Sequence, residues 1–172
     1  GLALANKPGL TGSIVHLANH AMIKATLFMV MGGVFYRLAT DNIKDFAGLG
    51  RRMPITMGIF VIAGLALIGV PGTAGFITKW YLVLGAMERG WWWLAFLIVG
   101  SSIIAVVYIG RVVEMAYFQE PATKARLTPE LPMSMQAPVL VLAAAIVWFG
   151  FDTRLTAGMA ARAAEILLAV TP

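Results

Sequence analysis

The chain has 172 residues, of which 60% are hydrophobic and 12% are charged, and its mean hydropathy is +0.84. Soluble domains average roughly 45–50% apolar and 25% charged residues, so this composition excludes an ordinary soluble protein. The net charge is +5, but the basic residues separate apolar segments and form no stripe, so no nucleic-acid partner is expected.

Apolar segments of about 20 residues recur along the chain, and such a segment is long enough to cross a bilayer as an α-helix. They predict an all-α fold: a polytopic transmembrane helix bundle with about four spans, one of them a discontinuous helix. The expected spans are residues 10–38, 54–88, 91–118 and 133–151, followed by an amphipathic tail at 152–170.

The second expected span is the discontinuous one. Pro54 suits a first helical turn, whereas Pro71, Gly72 and Gly75 interrupt the apolar sequence at residues 71–75. Each half alone is short for a complete crossing, so we expect one helix with its break at membrane depth.

The third span begins with three tryptophans, whose rings suit the headgroup boundary. The tail after Asp152 has apolar residues at spacings of 4, 7 and 4, which is typical of a short amphipathic helix on the membrane surface. These residues are Leu155, Met159, Ile166 and Val170.

Three ionisable residues in the first span recur at intervals of four, namely His16, His20 and Lys24. This spacing places them on one helix face, with Ser13 and Asn19 nearby. An intramembrane charge costs a few kcal/mol or more, so this polar stripe is expected to face a protein interior or a water-filled cavity. Because histidine exchanges protons near neutral pH, the stripe predicts a proton relay.

Two other interpretations of the stripe are open. A single histidine in a span often only hydrogen-bonds a neighbouring helix, which would make the stripe a packing contact. The HxxxH spacing also allows metal or haem ligation, but no carboxylate or third histidine stands nearby to complete a site. The alignment of three ionisable residues favours the relay.

Lys79 follows Gly75 by four residues and therefore belongs to the first turn of the resumed helix. The positive end of that half-helix disfavours an ammonium, whereas unpaired carbonyls ending the preceding half-helix near Val70 favour one. Small rearrangements at the break would decide between the two effects, which predicts a protonation switch. The alternative is that Lys79 extends to an interface, as we expect for Arg89.

Other chemistry lacks support in the sequence. No cysteine is present, and no GxSxG, P-loop, GxGxxG or HExxH motif appears, so hydrolase and nucleotide-binding functions are not indicated. The chain begins Gly1-Leu2-Ala3 without an initiating methionine or a signal peptide, and we expect it to be a fragment of a longer protein.

Three motifs in order carry a family resemblance: HLANHAMIKATLF from His16, GLGRRMP from Gly48, and GVPGTAGFITKWYL from Gly69. Together they resemble the antiporter-like subunits shared by respiratory NADH:quinone oxidoreductase (complex I), membrane-bound hydrogenases and multisubunit Mrp-type cation/proton antiporters. The segment KWYLVLGAMERGWW looks most like the D-type subunits of the Mrp antiporters.

The resemblance implies about fourteen helices, of which this chain matches the last four, beginning with the eleventh. It implies proton transfer by His16, His20 and Lys24 and by Lys79 of the broken twelfth helix, whereas the ionisable residues of earlier helices lie outside this chain. Residues 1–172 would then be the C-terminal part of a proton-conducting domain, which transports nothing by itself.

The function expected from the resemblance is proton translocation in a multisubunit monovalent cation/proton antiporter, as a D-type subunit without a cofactor. The alternatives are the equivalent subunit of a complex I-like translocase, and a non-transporting membrane scaffold. Expected partners are other membrane subunits, the lipid bilayer, and protons with Na⁺ or K⁺. The expected location is the inner (plasma) membrane, as a multi-pass protein.

Overall fold

The computed structural model describes residues 1–121 and 127–170, and of Val170 it describes the backbone only. Most of these residues are helical, and no β-strand occurs among them, as the sequence predicts. The helices are α1 (Lys7–Leu38), α2 (Leu49–Arg52), α3 (Pro54–Ile68), α4 (Ala74–Glu88), α5 (Trp92–Phe118), α6 (Met133–Phe151) and α7 (Thr156–Val170). Single 3₁₀ turns cover Leu2–Leu4 and Ile43–Phe46.

Helix α1 has 32 residues, which corresponds to about 48 Å at 1.5 Å per residue. It begins before the expected residue 10, because the Asn6 side chain accepts a hydrogen bond from the Gly9 amide and so caps the first turn. It ends at Leu38, followed by Ala39 in a left-handed conformation with φ of 50°.

Within residues 1–121 and 127–170, three helices are long and apolar enough to cross a membrane, namely α1, α5 and α6. Helices α3 and α4 have 15 residues each, about 22 Å, so neither alone crosses a hydrocarbon core of about 30 Å. α3 packs beside the C-terminal half of α1, where Met57 and Val30 share a core, and α4 packs beside its N-terminal half. The two short helices therefore act together as one interrupted element along α1.

The interruption lies at residues 69–73, not at the predicted 71–75. Helix α3 stops at Ile68 because Gly69 turns the chain with φ of 89° and donates its amide back to α3. Gly72 follows with φ of 86°, and the Thr73 hydroxyl donates to the Val70 carbonyl. Pro71 and Gly72 lie in the break as predicted, whereas Gly75 is already the second residue of α4.

Gly75 permits close packing of the two half-helices. A Cβ at this position would lie 1.8 Å from the Ala66 carbonyl oxygen, so only a residue without a side chain allows α4 to approach α3 so closely. The closeness brings the first turn of α4 beside the last turn of α3. Lys79 is the sixth residue of α4 and so lies in its second turn, not in the predicted first turn, and its side chain reaches back to the last carbonyl of α3.

The loop before α6 is fastened to the start of α3 by Glu130. Its carboxylate accepts hydrogen bonds from the Ile55 amide, at 3.0 Å, and from the Thr56 hydroxyl, while Arg37 donates to its backbone carbonyl. A carboxylate at a helix N-terminus satisfies free amides and complements the helix dipole. Glu130 thus joins α1, α3 and α6 at one end of the bundle.

Helix α7 runs along the N-terminal half of α1. Lys7, the first residue of α1, pairs there with Glu165 of α7. The buried residues of α7 are alanines, with Ala157 and Ala160 against Val15 of α1. The residues of the predicted apolar stripe instead face outward, since Leu155, Met159 and Ile166 are all exposed. The Val170 side chain of that stripe lies outside the described residues.

Candidate functional site

A cavity of about 180 Å³ lies where the α3–α4 break meets α1 and α5. Its lining is apolar except for a few polar groups, three of which are titratable: His16, His20 and Lys79. The residues lining it are His16, Asn19, His20, Ile23, Ala66, Leu67, Gly75, Thr78, Lys79, Leu82, Ile98 and Ser101. None of these lining residues is acidic, so Lys79 has no carboxylate partner within the cavity.

The Lys79 side chain points back to the helix break. Its Nζ donates to the carbonyl of Ile68 at 2.6 Å and to the hydroxyl of Ser102 on α5. Ile68 is the last residue of α3, so its carbonyl lacks the usual partner within the helix. The lysine stem also crosses Gly69, where a Cβ would come within 2.8 Å of it. Lys79 therefore links both half-helices to α5.

The structure brings two of the three stripe residues into the cavity. The rings of His16 and His20 are stacked, with centroids 4.8 Å apart. Lys24, one turn farther along α1, does not line the cavity, and its Nζ lies 5.9 Å from the centre of the Phe28 ring. The stripe thus leads from the cavity along the outside of α1, and Lys24 occupies its far end.

Hydroxyl and amide groups complete the polar part of the site. Asn19 is fully buried, and its Nδ2 donates to the Ala74 carbonyl at 2.8 Å and to Thr78 Oγ1 at 3.4 Å. The sequence pattern indicates Asn19, which stands beside the stripe, but it does not single out Ser102. The only signal for Ser102 is the Ser101-Ser102 pair inside an otherwise apolar span.

This arrangement can move protons. Two imidazoles and an ammonium share one cavity, and a volume of about 180 Å³ has room for several water molecules between them. Proton transfer requires such groups to lie within one hydrogen bond or one bridging water of each other. In the part of the chain that the structure describes, no three His, Cys, Asp or Glu residues cluster as a metal site. The site is thus a cavity that holds three titratable side chains inside a bundle of apolar helices.

Comparison with known proteins identifies the family. Residues 1–105 match the NADH:quinone oxidoreductase/Mrp antiporter transmembrane family, and the chain belongs to it. The NADH-quinone oxidoreductase subunit N of Desulforudis audaxviator is 41% identical over 162 residues, covering 87% of this chain and 32% of that protein. The F(420)H(2) dehydrogenase subunit N of Methanosarcina mazei is 29% identical over 96% of this chain and 35% of its own length. The chain spans about a third of the length of these curated relatives.

Solved structures share the fold. The Mrp complex from Dietzia sp. DQ12-45-1b contains a chain that superposes with a TM-score of 0.89 at 22% identity, covering 98% of this chain and 40% of that one. Respiratory complex I from Thermus thermophilus contains one with a TM-score of 0.86 at 23% identity, covering 98% of this chain and 35% of that one. The fold of this chain is therefore that of the matching chains in these two complexes.

Proposed function

We propose that this chain is the C-terminal part of a proton-translocating membrane subunit, in which Lys79 exchanges the proton at the helix break. The observation that carries this proposal is the placement of the Lys79 ammonium between the free Ile68 carbonyl and the Ser102 hydroxyl, in one cavity with His16 and His20. An ionisable group at membrane depth is costly to retain unless it is used.

The hydrogen bonds of Lys79 suit a group that gains and loses a proton. An ammonium donates to both the Ile68 carbonyl and the Ser102 hydroxyl. After the proton leaves, the neutral amine still donates to the carbonyl, and its lone pair can accept from the hydroxyl, because a hydroxyl both donates and accepts. Ser102 can thus remain hydrogen-bonded in both protonation states of Lys79.

His16 and His20 exchange protons with Lys79 through water in the cavity, and the stripe connects them along α1 with Lys24. The stacked rings place two imidazoles in sequence, and proton transfer over several steps requires such exchangeable groups to lie close together. His16 also has an exposed side, at the edge of the cavity. The proton path therefore continues into parts of the complete protein beyond this chain.

The complete protein is proposed to work in a redox-driven complex of the NADH-quinone oxidoreductase type, as a subunit N-like protein. The 41% identity to a subunit N over 87% of the chain supports this assignment. Its partners would be other membrane subunits in the plasma membrane, and it would act as part of a translocase. Lys79 and the two histidines would perform the same chemistry in either kind of complex.

The second candidate is a D-type subunit of an Mrp antiporter, which exchanges protons for Na⁺ or K⁺. The segment KWYLVLGAMERGWW, which resembles the D-type subunits, favours it. Neighbouring coding sequences decide between the two, because genes for iron–sulfur or flavin subunits imply redox driving, and genes for small membrane subunits alone imply cation exchange.

The test is Lys79→Ala in the full-length protein within its assembled complex, with proton flux measured in proteoliposomes. We expect assembly to be intact and flux to be lost. Lys7→Ala is the matched control, because Lys7 forms an exposed pair with Glu165 far from the cavity, and such pairs contribute little. Lys79→Glu should keep part of the flux, since a carboxylate also exchanges protons. Wild-type flux in an assembled Lys79→Ala complex would refute the proposed proton exchange and would favour the alternative of a non-transporting membrane scaffold.

A further inference from the structure

The amide of Asn19 has one end bonded and one end free. Its Nδ2 donates to the Ala74 carbonyl, and because a backbone carbonyl only accepts, this contact decides which end of the amide is the nitrogen. Oδ1 is therefore an acceptor. Within residues 1–121 and 127–170 no donor reaches it, although the side chain is 0% exposed. A buried acceptor of this kind is costly unless something donates to it.

Lys79 has the complementary property on the other side of the same cavity. An ammonium carries three N–H donors, of which the Ile68 carbonyl and the Ser102 hydroxyl take two. Asn19 and Lys79 both line the cavity of about 180 Å³, which is polar at these points and large enough for water. Lys79 thus has an unused donor and Asn19 an unused acceptor, and the two residues line the same cavity.

We propose that Asn19 Oδ1 and Lys79 Nζ hold between them a water molecule that forms a fixed link in the proton path. This inference rests on the proposed function and adds a binding site to it. The water accepts the third N–H of Lys79 and donates one hydrogen to Asn19 Oδ1. Its second hydrogen then points to the histidines, because His16 and His20 are the other titratable groups lining the cavity.

In this step one proton moves from Lys79 to His20 through the water. Lys79 gives its proton to the water oxygen while the water passes its second hydrogen to a ring nitrogen of His20. Lys79 ends as a neutral amine, His20 as an imidazolium, and the water is restored. Asn19 carries no proton and acts as a positioning residue, since it fixes the direction in which the water donates. The other packed elements contribute only uncharged groups here, the Ile68 carbonyl of α3 and the Ser101 and Ser102 hydroxyls of α5.

A metal cation is a poorer occupant of this position than water. Na⁺ and K⁺ prefer several oxygen ligands and are repelled by a neighbouring ammonium. The residues lining the cavity include no carboxylate that would offset this repulsion. Water satisfies both the acceptor of Asn19 and the donor of Lys79 without adding charge.

The first test is a density map of the complete wild-type complex at a resolution that shows water. We expect a water within hydrogen-bond distance of both Asn19 Oδ1 and Lys79 Nζ. A protein donor on Oδ1, a bound Na⁺ or K⁺, or a cavity without density at this point would each overturn the proposal. This measurement needs no variant and so is independent of whether a substituted protein folds.

The second test compares proton flux in two substitutions of the full-length protein in its assembled complex. Asn19→Leu removes both donor and acceptor at similar size, and we expect flux to fall at least tenfold. Asn19→Thr keeps an uncharged acceptor oxygen but loses the amide donor to Ala74, so its flux should exceed that of Asn19→Leu. Equal losses in the two variants would instead assign the effect to the Nδ2 bond and overturn the water site.

Two controls separate this proposal from the proposed function. Thr26→Val removes another buried polar group of α1, whose hydroxyl bonds its own helix at Met22, and it should keep wild-type flux. Lys79→Ala is measured in the same assay. Full flux in Lys79→Ala would refute the proposed function, whereas loss there with full flux in Asn19→Leu would refute only the water site.

Discussion

Gly75→Ala tests whether the close contact between α3 and α4 holds the site together. The new Cβ would lie 1.8 Å from the Ala66 carbonyl oxygen, a distance that real Cβ contacts do not show. The two half-helices would have to separate by at least about 1.2 Å to restore even a tight contact of 3.0 Å. Both partners are fixed to the backbone, so no flexible side chain can absorb the shift.

The separation acts directly on Lys79. Its Nζ lies 2.6 Å from the Ile68 carbonyl, and a shift of about 1.2 Å along this line would lengthen the contact to about 3.8 Å, beyond hydrogen-bond range. A charge-assisted hydrogen bond of this kind contributes about 1.5–3 kcal/mol, which corresponds to roughly a tenfold or larger change in an equilibrium. We therefore expect proton flux in the assembled Gly75→Ala complex to fall at least tenfold.

The assay is proton flux in proteoliposomes, normalised to the amount of assembled complex on a native gel. Gly58→Ala is the matched control, because Gly58 lies within α3 and a Cβ there meets nothing within 4 Å. Replacing a helical glycine by alanine at such an open position stabilises the helix by up to about 1 kcal/mol. If Gly75→Ala assembles and transports like Gly58→Ala, the close α3–α4 contact is not what positions Lys79.

Substitutions at three further residues test other parts of the structure. His20→Gln keeps hydrogen-bonding capacity without titrating near neutral pH, so flux should fall at least tenfold in assembled complexes, and a full rate with an unmoved pH optimum would make this histidine structural. Ser102→Ala should reduce flux about tenfold while Ser102→Thr, which keeps the hydroxyl, retains it; equal flux in both would show that the hydroxyl is not needed by Lys79. Glu130→Ala should lower the stability of the purified complex towards heat by about 1–2 kcal/mol, because the first turn of α3 loses its carboxylate cap, and an unchanged melting curve would show that the loop before α6 is held by other contacts.

The polar stripe and the broken helix are predictable because both are local patterns. Residues four apart share a helix face in any helix, so His16, His20 and Lys24 had to align once α1 formed. Pro71 and Gly72 disfavour continued helix wherever they stand, so an interruption near them is expected. The break begins two residues earlier than predicted because Gly69, and not the proline, supplies the left-handed turn.

The contacts of Lys79 could not be predicted from the sequence. Ser102 lies 23 positions away on another helix. The other partner is the backbone carbonyl of Ile68, and because every residue has a carbonyl, the sequence does not mark this one. Which groups the Lys79 ammonium reaches depends on how α3, α4 and α5 pack. No local pattern in the sequence gives the distances between these helices. The exclusion of Lys24 from the cavity has the same origin, since the neighbouring helices decide how far the cavity extends along α1, and it ends before the turn that carries Lys24.

The amino-acid sequence is sufficient to define a multi-pass, all-helical membrane protein with ionisable groups at membrane depth. Length, hydropathy and helical periodicity are properties of single segments, and a bilayer requires each segment to satisfy its own backbone hydrogen bonds. That His16, His20, Asn19 and Lys79 line one cavity, with Gly75 allowing the approach, follows from the packing of the helices and from no local pattern. Packing acts over contacts of a few ångströms between residues distant in the chain, so it sets which side chains meet and hence where the proton can go.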